Sequence, residues 1–262
     1  MKTSIKETGP RKIRLDQLLV ERGLCTSRAQ AQAFILAGRV FKGEQRLDKP
    51  GLQVPVELEP TLRAVEAWVS RGAHKLIAGL DAFGIDPQGL VCLDVGASTG
   101  GFTEVLLKRG AVRVHAVDVG YGQLDARLRA DPRVVVRERC NARHLTRTEV
   151  ADPIDLVVCD ASFISLRLVL PAALALTAPG ARLVALIKPQ FEVGKGQVGK
   201  GGVVRDPALH EAVCQGITDW LAALGGWRVL GVAPSPLLGP AGNREFLIGA
   251  ARAEDIGSEA PP

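Results

Sequence analysis

Between residues 90 and 250 the chain alternates seven short apolar runs with segments of helical periodicity, and few folds accept that order. The runs are LVCLDV at 90–95, RVHAVDV at 113–119, RVVVRE at 133–138, IDLVVCD at 154–160, RLVALIK at 182–188, WRVLGVAP at 227–234 and REFLIGA at 244–250. Strands that alternate with helices imply a mainly parallel sheet covered on both faces. A long helix is predicted to open at Asp206-Pro207, with Asp as N-cap and Pro in the first turn, and to end near Gly225-Gly226. The last two runs are separated by a turn at 239–242, which predicts one antiparallel edge on an otherwise parallel, Rossmann-like α/β sheet of seven strands.

The first 49 residues follow a different pattern. They carry eleven Lys/Arg against five Asp/Glu, a net +6, whereas the whole chain of 262 residues is only +5, so the rest is near neutral. DQLLVE at 16–21 has helical spacing with Gly23 behind it. Ser27-Arg28-Ala29-Gln30 has the form of a capping box, in which Ser27 accepts from the first turn and Gln30 reaches back. That helix runs to about Ala37, where Gly38 stops it. A short strand and turn follow at 39–47, then a second turn at Lys49-Pro50-Gly51. Arg22, Arg28, Arg39 and Lys42 can share a face that meets phosphates, with salt-dependent affinity and little sequence preference. A solvated basic surface without a ligand is the plain alternative.

Other classes fit poorly. No run approaches the roughly 20 apolar residues of a membrane span, and the charged start MKTSIKETGPRKIR lacks the apolar stretch of a secretory signal. Cys25, Cys92, Cys140, Cys159 and Cys214 are scattered without a C-x-x-C pair. Buried, reduced thiols in a cytoplasmic protein are expected, with no disulfide framework and no metal site. Aromatics at 4% leave little material for repeated base-stacking platforms. The oligomeric state is open, and a monomer is compatible with the sequence.

The first strand of the long module ends in Asp94-Val95-Gly96-Ala97-Ser98-Thr99-Gly100-Gly101-Phe102. Glycines after a strand let a cofactor approach the backbone, and the following helix offers free N–H donors. The loop departs from G-x-G-x-x-G. The second strand ends in Asp118, where a carboxylate can bind both ribose hydroxyls or simply cap a turn. Asn141-Ala142 follow the third strand; Asn there is also ordinary turn chemistry. Reacting groups in such sheets gather at the carboxyl ends of the strands. Asp160 and Lys188 end otherwise apolar strands there, Glu245 opens the last one, and Lys75 lies upstream in SRGAHKL. Each alone has a bland reading as a cap, a snorkelling lysine or a surface charge.

Two resemblances connect these residues. IRLDQLLVERGLCTSRAQAQAFILAGRVFKGEQRLDKPG resembles the S4-type RNA-binding domain, through RLDxLL, Arg22-Gly23, Ser27-Arg28, Gly38-x-Val40 and Lys49-Pro50-Gly51. Phe41-Lys42-Gly43 stands where members commonly have Val-Asn-Gly. Lys75, Asp160, Lys188 and Glu245 together resemble the Lys-Asp-Lys-Glu set of FtsJ-type ribose 2′-O-methyltransferases. The linking sequences SRGAHKL, LDVGASTGGFT, DASFISL, IKPQFEVGKGQVGKGGVVRD and GNREF are similar to the TlyA, or haemolysin-A-like, ribosomal RNA 2′-O-methyltransferases over nearly all of 13–251. Ala73-His74 and Glu66-Ala67-Trp68-Val69 depart from the family's Gly-containing lysine segment and its Arg-x-Trp-Val linker. Trp68 is expected to pack between the modules.

The resemblance implies transfer of a methyl group from S-adenosyl-L-methionine to the ribose 2′-hydroxyl of a cytidine in ribosomal RNA. It implies a disordered arm at 1–12, an α+β RNA-binding domain at 13–60, a linker at 61–71, the methyltransferase domain at 72–252 and a disordered tail at 253–262. The loop from Asp94 to Gly100, with Gly96, Ala97 and Ser98, would hold the methionine end of the cofactor, Asp118 its ribose, and Asn141 and Ala142 its adenine; Gly101, Phe102 and Asp160 would also bind the cofactor. Arg14, Arg22, Ser27, Arg28, Arg39, Lys42, Lys195 and Lys200 would meet RNA, the last two from a glycine-rich lid at 194–205; a disordered insertion is the other reading of that segment. A ribose hydroxyl is a weak nucleophile that must be deprotonated or strongly oriented, and alignment can contribute about 7–11 kcal/mol. Lys188 is the candidate base, Asp160 its orienting partner, and Lys75 and Glu245 place the hydroxyl. Base and pure positioning both stay open for Lys188, since neighbouring carboxylates favour its charged form. A membrane-active haemolysin and a non-enzymatic RNA-binding factor are the rival readings.

Overall fold

The computed structural model describes residues 11–62, 68–194 and 196–254. The chain forms two compact units, Met1–Ala67 and Trp68–Pro262. Most of the arm expected at 1–12, most of the tail expected at 253–262, Glu66 and Ala67 of the linker, and Lys195 lie outside the described residues.

In the first unit, β1 (Lys12–Arg14) leads directly into α1 (Leu15–Glu21), and α2 is Arg28–Leu36. The strands β2 (Val40–Lys42), β3 (Gln45–Arg46), β4 (Gln53–Pro55) and β5 (Thr61–Leu62) complete it. β1 pairs with β4, and β2 pairs with both β3 and β5, all antiparallel. Leu15, Leu18 and Leu19 of α1 close with Ala31 and Ile35 of α2 over Val40 to form the core. Lys12 and Thr61, on either side of the expected 13–60, take part in its strands, Lys12 pairing with Pro55 and Thr61 with Phe41.

The capping box is displaced by one residue. Ser27 Oγ accepts from the Gln30 N–H at 3.2 Å, but Gln30 Oε1 reaches back to the Thr26 N–H at 2.7 Å. Asp16, which is fully buried, explains much of the basic surface above it. Its carboxylate accepts from Arg14 at 2.9 Å, from Gln32 at 2.8 Å and from Arg28 at 3.2 Å, and the Arg14 hydrogen bond chiefly holds it far below the usual carboxylate range. Two of the cations expected to face phosphate therefore also neutralise a buried acid.

The second unit is a seven-stranded sheet flanked by helices. After α3 (Gly72–Phe83) come β6 (Val91–Val95), α4 (Gly101–Lys108), β7 (Arg113–Val117), α5 (Ala126–Arg129), β8 (Val134–Arg137) and β9 (Ile154–Cys159). The remainder is α6 (Leu166–Ala175), β10 (Thr177–Ile187), α7 (Pro189–Glu192), α8 (Pro207–Ala223), β11 (Trp227–Pro234) and β12 (Phe246–Arg252). The order is β11-β12-β10-β9-β6-β7-β8. β12 is antiparallel to both neighbours, so the antiparallel strand sits one place inside the edge and β11 is the edge. Apolar clusters cover the two faces, one with α6 and α8 and the other with α3 and α4. α8 starts as expected, with Asp206 Oδ1 accepting from the Ala208 N–H at 2.9 Å.

Two glycines set how closely α3 lies on the sheet. A Cβ on Gly79 of α3 would come within 2.7 Å of Val184 on β10, and one on Gly249 of β12 would run into the Phe83 ring. Their absence lets α3 settle directly over β10 and β12. All five cysteines are free; Cys25, Cys92 and Cys159 are buried, whereas Cys140 and Cys214 are only half-buried, because both sit at the margin of a cluster rather than inside it. Trp68 packs against its own unit's core with Lys108 Nζ 4.1 Å over the ring.

Candidate active site

The carboxyl ends of β6, β9 and β10, together with the start of antiparallel β12, share one edge of the sheet. A cavity of about 650 Å³ opens there. Lys75, Asp160, Lys188 and Glu245 all line it, although they come from α3, the β9 end, the β10 end and the residue before β12. Lys75, Lys188 and Glu245 are buried and Asp160 is half-buried.

They meet as two ion pairs. Lys75 Nζ donates to Glu245 Oε2 at 2.5 Å, and Lys188 Nζ lies 2.6 Å from Asp160 Oδ1. Lys188 also donates to Ser162 Oγ at 2.8 Å and to the Asp160 carbonyl at 3.2 Å. Two of the three N–H donors of the ammonium are thus used, and the contact with Asp160 Oδ1 is one of charge, since that oxygen accepts no hydrogen bond. Ser162 is a site residue that the sequence reading missed; an exposed serine three residues past a strand end carries no pattern of its own. Phe163 beside it is 90% exposed with φ +65° and lines the same cavity.

The glycine loop forms the opposite wall. Gly96 has φ +83° and faces the Ala161 backbone so closely that a Cβ would sit 3.1 Å from it. Gly100, at φ +98°, caps α4 in the left-handed region. Ala97, Ser98, Gly101 and Phe102 line the cavity, and Asp94 lies beneath them, fully buried. Thr103 Oγ1 donates to Asp94 Oδ2 at 2.7 Å, while Oδ1 has no partner. Burial pushes this carboxyl up to about 7, against the Thr103 hydrogen bond and with help from Asp160 and Asp118.

That shift fixes a sign. With its folded value raised, the Asp94 contribution to stability is complete below its ordinary value of 3.8 and is lost as pH rises through about 7. The span is worth on the order of 4 kcal/mol. Thermal melts of ligand-free protein should therefore lose stability between pH 4 and 7 on this account, and Asp94→Asn should flatten that part of the curve. An unchanged slope in the variant would place the titration elsewhere.

Asp118 stands just beyond β7, in a shallow hollow that shares Ala97 and Ser98 with the cavity. Its two oxygens accept from the Ser98 N–H at 2.8 Å and the Gly120 N–H at 2.7 Å, which holds Ser98 at φ +48°. Asn141 and Ala142 do not line either space. Asn141 Oδ1 instead accepts from the Arg143 N–H at 3.1 Å, and Ala142 is packed in the core. In the glycine-rich segment, Gly201 and Gly202 line the cavity and Lys200 is exposed. Asn243 ties its root, accepting from the Val204 N–H and donating to the Gly202 carbonyl, both at 2.9 Å.

The remaining sequence-named cations lie in the first unit. Arg22 donates to the Val56 carbonyl at 2.8 Å, Arg39 stacks 3.9 Å over Phe34, and Lys42 is exposed. Ser27 spends its hydroxyl on the α2 cap. No group of three or more His, Cys, Asp or Glu side chains among the described residues is arranged to hold a metal.

Comparison with known proteins adds an independent line. The FtsJ-like methyltransferase model matches residues 68–252 and the S4 domain model residues 13–72. The chain is 52% identical over 240 residues to the 16S/23S rRNA (cytidine-2′-O)-methyltransferase TlyA of Mycobacterium tuberculosis, covering 91% of this chain and 89% of that protein. It is 37% identical over 240 residues to Hemolysin A of Brachyspira hyodysenteriae, covering 90% and 98%. A solved Streptococcus thermophilus structure that bears the hemolysin name superposes with a TM-score of 0.71 at 38% identity, covering 96% of this chain and 93% of that one.

Proposed function

The chain belongs to the FtsJ-like methyltransferase family as a TlyA-type member, and on that footing we propose that it transfers a methyl group from S-adenosyl-L-methionine to a cytidine ribose 2′-hydroxyl in ribosomal RNA. The observation that carries the reading is the meeting of two lysine–carboxylate pairs at one cavity, opposite a glycine loop that leaves room for a ligand against the backbone. The S4 domain supplies the RNA-binding half. Such a role belongs with ribosomes in the cytoplasm.

The residues present fit this cofactor. A buried carboxylate with an unpartnered oxygen, Asp94, favours a ligand that brings positive charge into reach. Residues 94–102 and Asp160 are the candidates for the methionine end, and Asp118 for the ribose. When bound, the cofactor supplies an electrophilic methyl group on a sulfonium centre.

This chain's own residues then prepare the nucleophile. The Lys188 ammonium exchanges Ser162 Oγ for the incoming 2′-oxygen and orients it, while Asp160 fixes the ammonium. Since Nζ is already ringed by acceptors, the neighbouring Asp160 carboxylate is the acceptor that the cluster offers for the hydroxyl proton. Lys75, locked by Glu245, holds the second side of the ribose. The exposed Phe163 ring offers the target base a stacking surface, and Lys200 with the first unit's Arg22, Arg39 and Lys42 meets phosphates. Mapping ribose methylation on ribosomal RNA from cells with and without this protein tests the reading. A cytidine 2′-O-methyl mark lost with the gene is expected; an unchanged map would overturn it.

A further inference from the structure

Glu192 closes the short segment that starts at Lys188 and does not line the cavity. Its carboxylate nevertheless grips the start of α6. Oε2 accepts from Ser165 Oγ at 2.6 Å, and Oε1 accepts from the Leu166 N–H at 2.7 Å. Both donors stand at a helix N-terminus, where unpaired N–H groups favour negative charge. At the other end of the same segment, Lys188 grips Asp160 Oδ1 and Ser162 Oγ. The loop from 160 to 165 is thus fastened at both ends by residues 188–192. Between the fastenings the Phe163 ring lies 5.1 Å from that of Phe191.

The middle of this loop needs such a hold. Phe163 has φ +65°, a left-handed conformation that a bulky residue keeps only where its surroundings over-determine it. The ring is 90% exposed, so its own burial does not provide the hold. The two fastenings and the Phe191 contact remain.

We infer that Glu192 is a positioning residue: its carboxylate keeps the 160–165 loop in the conformation in which Ser162 supports Lys188 and Phe163 faces the cavity. The inference rests on the proposed 2′-O-methylation for its catalytic consequence but not for its structural one. Glu192→Ala removes both acceptors. Glu192→Gln retains an amide oxygen for Leu166 and turns an amide N–H towards the Ser165 hydroxyl.

Two readouts test this on the full-length protein. Chymotryptic cleavage after Phe163, identified by mass, should be at least about tenfold faster in Glu192→Ala than in wild type. In the same variant kcat for methyl transfer should fall by about 10²-fold, as expected of a displaced reacting group, with cofactor affinity by calorimetry unchanged. Glu192→Gln should restore both readouts to near the wild-type values. Wild-type kcat in folded Glu192→Ala overturns the inference, as does a Glu192→Gln variant as slow as the alanine one with unaltered cleavage. If the wild-type protein methylates no ribose, the proposed function fails, while the cleavage comparison still decides whether Glu192 fastens the loop.

Discussion

Lys188→Ala is expected to lower kcat for methyl transfer by about 10²–10³-fold while leaving the protein folded and cofactor binding intact. The size follows from where Nζ sits. It is the one buried donor with Asp160 Oδ1, the Asp160 carbonyl and Ser162 Oγ all around it, at the end of β10 where the cavity begins. Removing it takes away the group proposed to orient the hydroxyl, whereas the glycine loop and Asp118 are untouched. The Asp160 side chain is 22% exposed although Oδ1 is buried, so the variant leaves a partly solvated carboxylate rather than a fully buried one. Lys188→Arg is not expected to rescue, because a larger planar guanidinium cannot take the place of a compact ammonium between Asp160 and Ser162. Single-turnover transfer with saturating cofactor checks both variants. Full activity in folded Lys188→Ala would remove this lysine from the chemistry.

The second large effect concerns the other pair. Glu245→Ala leaves Lys75, a buried residue, without its carboxylate partner. Breaking a buried pair in this way costs about 3–5 kcal/mol, which for a unit of this size lowers the melting temperature by about 10 °C. Replacing both residues, as Lys75→Met with Glu245→Leu, is expected to recover most of that stability, since an apolar pair of similar volume needs no desolvated charge. Methyl transfer should stay lost in the double variant. Thermal denaturation and the transfer assay read the two outcomes separately. Recovered activity in the apolar double variant would make the pair a structural device alone.

The pairing itself was not legible in the sequence. Lys75 and Glu245 are 170 residues apart, and they meet because β12 inserts antiparallel between β10 and β11 and α3 lies over it. The reading placed the antiparallel strand at the edge, because a turn at 239–242 reveals reversal but not insertion. Apolar runs did reveal all seven strands, since each is long enough to carry its own period, and Asp206 and Ser27 carried their caps locally. The sidedness of the basic module was beyond a residue count. Arg14 and Arg28 look free until the fold buries Asp16 beneath them. Asn141 has the composition of a ligand contact, yet its backbone neighbours take its oxygen first. Ser162 and Glu192 were out of reach for the same reason. Their partners lie 26 and 27 residues away, across strand ends that only the parallel sheet aligns.

In the proposed reaction the two lysine–carboxylate pairs direct a methyl group to a ribose oxygen. The most direct test is transfer of labelled methyl from S-adenosyl-L-methionine to purified ribosomal subunits, followed by alkaline hydrolysis of the RNA. Methylated ribose blocks cleavage at its own 3′ phosphate, because the 2′-oxygen can no longer attack. The predicted result is label confined to an alkali-resistant dinucleotide that begins with 2′-O-methylcytidine, present with wild-type protein and absent with Lys188→Ala. Label in alkali-sensitive mononucleotides, which places the methyl on a base, would contradict the account.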